Sequence, residues 1–249
     1  MNQNHNYLSK KSGKYYLVPV LLFHNVDGIG PYSLNRKELR EYLDILREEK
    51  IQIVSLKNLY EHAVNQKFYD KPTMVLTIDD NYVNIVRVFA PILREYGYLA
   101  TFFFYTKDIH SNPSKGTSWE DLKRLLKEGF DIQNHSYSHT VFHNKNREKI
   151  IKEVYDSREI LEKFLNHRIW AFAYPMGYYT EVLNQELLQN GYKVVLTTDA
   201  KPLDLSKKFE GIIHRYTIQK KYVKNPLKML YLQISYAKQK YPLTHVSHQ

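Results

Sequence analysis

Short apolar runs alternate along this chain with longer stretches in which apolar residues recur every three or four positions. The runs at 17–23, 51–54, 73–78, 99–105, 130–133, 169–174 and 192–197 read as buried strands, and a last apolar run surrounds His214. The stretches between them carry helix signals. Asn35 with Glu38 forms a capping box, and Ser118 stands three residues before Asp121 in a similar role. Residues 147–165 place Ile150, Val154, Leu161 and Phe164 on one face with charges opposite. Gly97, Gly129 and Gly191 each stand where a helix should stop before a strand begins.

Strands alternating with helices imply parallel strands joined by crossovers. Seven or eight such units in 249 residues, with no repeat or linker, predict one α/β domain. The expected architecture is a closed or nearly closed (β/α) barrel, with an open doubly wound sheet as the alternative. Residues 1–14 form a polar leading segment and 15–219 the barrel domain. Residues 220–249 read as a basic helix and tail packing on or extending the barrel. In that last segment Asn225 is the expected cap and Pro226 the first turn, with Leu227, Leu230, Tyr231, Ile234 and Ala237 on one face.

Composition narrows the chemistry. Hydrophobic residues make up 43% and charged residues 25%, which suits an ordinary soluble core. Cysteine is absent, so disulfides, thiolate zinc sites and a cysteine nucleophile are excluded. The net charge is +10; after Glu210 no acidic residue follows, while Arg215, Lys220, Lys221, Lys224, Lys228, Lys238 and Lys240 do. Such an end suits contact with an anionic surface, or is simply a solvated lysine-rich face. No nucleic-acid-binding motif accompanies it, so nucleic acid is not an expected partner. The run at 15–23, preceded by Lys10, Lys11 and Lys14, has a signal peptide's outline but no small-residue cleavage site. It is also shorter than the roughly 20 residues that span a bilayer. The expectation is a buried strand, no transmembrane segment, and a cytoplasmic location as the chain stands. An envelope location is expected instead if the sequence is truncated or exported by another route. The 22 tyrosines suit sugar-stacking walls and half-buried packing equally.

In a (β/α) barrel, catalytic groups gather at the C-terminal ends of the strands. Here His24 follows the first run, Asp79 and Asp80 the third, His135 and His139 the fifth, Tyr174 and Pro175 the sixth, and Asp199 the seventh. All of these, with His214, are expected at one mouth. His135 and His139 are four apart, a spacing that aims two imidazoles at one point. With one carboxylate they leave open positions for water and substrate, as a catalytic metal site requires. On its own, such a pair of histidines is also compatible with a surface loop. Adjacent carboxylates at the end of an apolar run are costly without partners. One of the two is a possible cap for the following helix. An economical division has one bind metal and the other take a proton from water.

Thr77-Ile-Asp-Asp-Asn81, followed after a helix by Ala100-Thr-Phe-Phe-Phe104, resembles the first motif region of polysaccharide deacetylases with a NodB-type domain (carbohydrate esterase family 4). His135-Ser-Tyr-Ser-His139 is similar to their second motif and Phe172-Ala-Tyr-Pro-Met-Gly177 to their third. Leu22-Phe-His-Asn-Val26 is similar to a signature of the subgroup that includes poly-β-1,6-N-acetylglucosamine deacetylases. Gly191-Tyr-Lys-Val-Val-Leu-Thr-Thr-Asp199 and Ile213-His-Arg-Tyr-Thr-Ile218 resemble its later segments. The resemblance implies a distorted (β/α)7 barrel that removes N-acetyl groups from N-acetylglucosamine-containing polymers. It implies one divalent metal ion, zinc first, with cobalt, nickel or iron compatible. Asp80, His135 and His139 would be its ligands and Asp79 the general base. His214 would be the general acid in one alignment, whereas another matches Arg215 to that position. The Tyr174 amide, since Pro175 has none, would hold the oxyanion. Two departures stand out. Asn81 replaces a usual glycine, and Ala173 stands where many members carry an arginine that orients the base, a charge that Arg215 could supply. His24 would lie beneath the metal, line the cleft, or be a buried, hydrogen-bonded histidine. Hydrolysis of another amide, such as a cyclic ureide or imide, and a carbohydrate-binding relative without catalysis are the alternatives.

Overall fold

The structure, a computed structural model, describes residues 13–142, 147–219 and 226–242. The strands are β1 (Leu17–Val18), β2 (Val20–Phe23), β3 (Gln52–Val54), β4 (Thr73–Asp79), β5 (Thr101–Phe104), β6 (Asp131–Asn134), β7 (Ala171–Ala173), β8 (Val194–Thr197), β9 (Leu203–Asp204), β10 (Ile212–His214) and β11 (Tyr216–Thr217). The helices are α1 (Arg36–Glu48), α2 (Leu56–Val64), α3 (Ala90–Glu95), α4 (Trp119–Lys127), α5 (Arg147–Ile151), α6 (Ser157–Leu165), α7 (Glu181–Gln189) and α8 (Pro226–Ala237). A π-turn, Ile85–Phe89, leads into α3, and another, Lys152–Asp156, joins α5 to α6. Both expected capping boxes form, at Asn35 and Ser118, and Gly97, Gly129 and Gly191 all adopt positive φ.

The large sheet runs β10-β8-β7-β6-β5-β4-β2-β11 with every pairing parallel, and β3 adds to the start of β4. Its two ends meet in one stretch of chain. The Arg215 N–H donates to the Thr197 carbonyl on β8, and three residues later the Ile218 N–H donates to the Leu22 carbonyl on β2. The sheet therefore nearly closes as an α/β barrel, and the open doubly wound alternative does not occur.

Successive strand residues point to opposite faces, and two cores follow from that. Val20, Val75, Phe103, Ala171, Ala173, Leu196 and Ile213 fill the lumen. Leu21, Leu76, Phe102, Phe104, Phe172 and Val195 face the surrounding helices. Val154 and Leu161 join the outer core as expected, whereas Phe164 is 47% exposed and stacks on Trp119. On α8, Leu230, Ile234 and Ala237 pack into that core and Tyr231 faces outward; Asn225, the expected cap, lies outside the described residues. No helix among the described residues is long and apolar enough to cross a membrane.

Candidate metal and hydrolysis site

Parity along the strands selects the functional side chains. On β4 the lumen positions Val75, Thr77 and Asp79 run from apolar to charged, so the carboxylate arrives at the C-terminal mouth. The same count brings His24 in after β2, His135 after β6 and Arg215 between β10 and β11. Asp80 follows Asp79 in a left-handed conformation (φ 79°), with its N–H bonded to the Phe103 carbonyl, so the chain turns and brings a second carboxylate to the mouth. Neither aspartate caps the next helix. Asn81 latches the ends of β4 and β5 together: its side chain donates to the Tyr105 carbonyl at 2.6 Å and accepts from the Tyr105 N–H at 3.2 Å. That role accounts for a side chain where the motif usually has glycine.

Asp80, His135 and His139 present one ligand atom each within 4.8 Å of one another. His139 Nε2 lies 3.1 Å and His135 Nε2 3.7 Å from Asp80 Oδ1, a buried oxygen without a well-formed hydrogen bond. His135 Nδ1 is 2.8 Å from the Ala173 carbonyl, which fixes its proton there and leaves the Nε2 lone pair facing Asp80. An orphaned carboxylate oxygen opposite two imidazole nitrogens fits a divalent cation with open positions. The adjacent Asp80 carboxylate lifts His139 above the ordinary imidazole range against its partial burial.

Asp79 is 2% exposed and is held by a fork: Arg215 Nη1 donates to Oδ1 and Nη2 to Oδ2, each at 2.8 Å. Arg215 is itself fully buried, lies over the Phe103 ring, and donates through Nε to the Thr197 carbonyl at 3.3 Å. Burial alone would raise the Asp79 pKa, but Arg215 and then His135 outweigh it and hold the carboxyl below its usual range. Arg215 is thus the charged partner of Asp79 and does not belong to a basic surface. Elsewhere in that basic end, Lys238 pairs with Glu49 and Lys240 lies over the Tyr15 ring; Lys220, Lys221 and Lys224 lie outside the described residues.

Three expected groups are not brought in: His214, Asp199, which stays beside it, and the Tyr174 amide. His214 takes the opposite parity to Arg215 and turns away from the lumen, where Nδ1 contacts Thr197 Oγ1 at 2.7 Å and Asp199 Oδ2 at 3.2 Å. Burial lowers its pKa against Asp199, and neither Asp79 nor Asp80 contributes to its charge environment. The Tyr174 amide is spent on the Leu196 carbonyl, and its hydroxyl donates to Asn184 on α7. Pro175 begins the turn Pro175–Gly177, in which Met176 has φ 58° and is 66% exposed, so the next N–H beyond β7 is that of Met176. His24, by contrast, is inside. Its Nδ1 is buried without a partner, burial lowers its pKa, and the nearby Asp79 and Asp80 charges raise it in opposition. A cavity of about 280 Å³ opens beside it, lined by His24, Asp27, Ile29, Tyr32, Asp80 and Tyr82. Tyr32 and Tyr82, both partly exposed, were not singled out by the motifs; a tyrosine on the cleft side of each motif loop is the signal that could have found them.

A near-closed parallel barrel thus brings a forked carboxylate and a carboxylate–imidazole donor set to one mouth. Residues 66–195, just over half of the chain, match the family model described as polysaccharide deacetylase, and the chain belongs to that family. Among curated relatives it is 30% identical over 105 residues to peptidoglycan-N-acetylglucosamine deacetylase of Bacillus cereus, covering 42% of this chain and 46% of that protein. It is 27% identical over 172 residues to the Bacillus subtilis peptidoglycan-N-acetylmuramic acid deacetylase PdaC, covering 68% of this chain and 32% of that one. The chain thus spans less than half the length of either relative. The fold is shared with the Streptococcus pyogenes deacetylase PplD solved with acetate (TM-score 0.76, 22% identity, 87% and 98% covered). It is shared equally with IcaB from Ammonifex degensii (TM-score 0.76, 20% identity, 92% and 99% covered).

Proposed function

We propose that this chain is a metal-dependent N-deacetylase acting on N-acetylglucosamine-containing polysaccharide or oligosaccharide. The observation that carries this reading is the pairing of an Asp80–His135–His139 donor set with a second, independently anchored carboxylate, Asp79. A binding protein has no use for that second buried charge. Asp80, His135 and His139 would hold the ion, zinc first, with cobalt, nickel or iron compatible with the same donors. When bound, such an ion supplies Lewis acidity to water and to the acetyl oxygen.

The chain's own groups do the rest. Asp79, kept ionised and fixed in direction by Arg215, takes the proton of the attacking water. His24 rather than His214 carries that proton onward: it starts neutral, has a free Nδ1 and sits among the site's charges. It receives the proton and releases it to the leaving amine. The Met176 N–H replaces the committed Tyr174 amide as donor to the developing oxyanion. Tyr32 and Tyr82 wall the cleft that takes the sugar ring.

The test is amine release from N-acetylglucosamine oligomers by the purified protein, with chelator and with zinc or cobalt added back, alongside Asp79→Asn. The expected result is metal-dependent release that the variant loses by at least about 10²–10⁴-fold. Metal bound at the site with no release from any oligomer would overturn the substrate class.

A further inference from the structure

The loop that carries both histidines is strained. Ser136 (φ 77°) and His139 (φ 56°) are non-glycine residues in the left-handed region, which needs compensation from the surroundings. His135 has its own anchor in the Ala173 carbonyl, whereas His139 is more exposed and its ring meets Asp80 Oδ1 at 3.1 Å and the Tyr105 ring.

We infer that Glu153, on the π-turn Lys152–Asp156, is the positioning residue for His139. Oε2 accepts the consecutive N–H groups of Tyr137 (3.1 Å) and Ser138 (2.8 Å), and Oε1 accepts the Ser138 hydroxyl (2.6 Å). The left-handed Ser136 is what turns two successive N–H groups to one side, a concave arrangement that binds an anion. Glu153 supplies that anion from a helix distant in sequence. The next residues fix the other end of the loop. The Val154 carbonyl accepts from Asn134 Nδ2 at 2.9 Å, and Ser157 Oγ donates to Asn134 Oδ1 at 2.9 Å, while that same oxygen takes the Ser136 N–H. The π-turn thus presents Glu153 and Val154 to one loop together. Opposite them, the segment that follows β5 contributes the Thr106 N–H to the Ser136 carbonyl and the Lys107 N–H to the Tyr137 carbonyl. The loop is clamped on both sides, and the Glu153 side bears directly on the residues immediately before His139.

This inference rests on the metal-site reading above, and its test separates the two. Zinc and cobalt titrations of the apoprotein by calorimetry, together with the visible absorption of the cobalt form, read the site without any substrate. Glu153→Ala should weaken metal binding about 10–100-fold, the usual effect of removing a ligand's support, and change the cobalt band shape. Glu153→Gln keeps an acceptor for the N–H pair and an amide for Ser138 Oγ, and should stay within about threefold of wild type. In a His139→Ala background the Glu153→Ala effect on affinity should vanish, because its route is gone. Wild-type affinity in Glu153→Ala, or an undiminished effect in the His139→Ala background, would overturn the inference. Failure of the wild-type protein to bind either metal would instead sink the metal-site reading. If Glu153→Ala fails to fold, Glu153→Gln and Ser138→Ala carry the test, Ser138→Ala being expected to weaken binding by less than Glu153→Ala does.

Discussion

His214, the last residue of β10, and Arg215, which follows it, meet opposite fates. Arg215 points into the barrel, is fully buried, and grips Asp79 with two hydrogen bonds at 2.8 Å. His214 points to the helices, is half-buried, and joins Thr197, Asp199 and, through Asp199, the Tyr179 hydroxyl. Each is a basic group beside an aspartate, and composition alone would rank the histidine as the catalytic one. What separates them is the strand's two-residue period. The lumen side leads to the donor set and the outer side to a polar cluster between sheet and α7. A motif that matches both residues does not say which of them reaches the chemistry; the parity of Ile213 in the lumen core does.

The comparison predicts its largest effect at Arg215. Arg215→Ala leaves Asp79 buried without its partner, and breaking a buried ion pair from one side costs about 3–5 kcal/mol. Denaturant unfolding should show that loss, and amine release should fall at least about 10²-fold because the base is no longer fixed or kept ionised. Arg215→Lys restores the charge without the fork and should recover only part of both. A variant of normal stability and rate would mean that the lumen ion pair is incidental.

The next contrast is smaller. His24→Ala should reduce the rate about 10²-fold if His24 carries the proton, whereas His214→Ala should stay within a few-fold, since general acid–base groups contribute about 10²–10⁴-fold. Steady-state kinetics on the same oligomers decides it. The reverse ranking would return the proton to His214 and require the outer cluster to open toward the mouth.

Much of this arrangement was legible in the residues. The apolar runs located the strands to within a few positions, and both capping boxes formed as written, because local hydrogen bonds decide them. Asp79, Asp80, His135 and His139 were legible because two motifs put them at strand ends. The inward or outward turn of His214 and the commitment of the Tyr174 amide to Leu196 were less so, since both depend on register with β8. Even there, the alternation Ile213–His214–Arg215 held part of the answer. Glu153 carried no signal at all: its role arises where a π-turn meets a loop 15 residues away, and nothing local marks a helical glutamate as a loop's partner.

A last and smaller effect separates burial from catalysis at the two histidines. Burial lowers the pKa of both His24 and His214, with Asp79 and Asp80 opposing at the first and Asp199 at the second. A histidine whose folded value lies below its unfolded value of about 6.5 is protonated first in the unfolded chain. The stability it contributes is therefore complete above that value and is lost as pH falls from it toward the folded value. His139, whose pKa is raised by Asp80, works in the other direction, contributing stability on the acid side that is lost as pH rises through its folded value. The melting temperature of the metal-free protein, followed downward from pH 7.5, should respond to both lowered groups. His24→Asn and His214→Asn should each flatten the decline below about pH 6.5, by at most one proton's worth of slope. Only His24→Asn should also cost activity. An unchanged slope in His24→Asn would show that the lumen histidine is not held neutral in the resting site, and the proposed hand-over of the proton would lose its starting state.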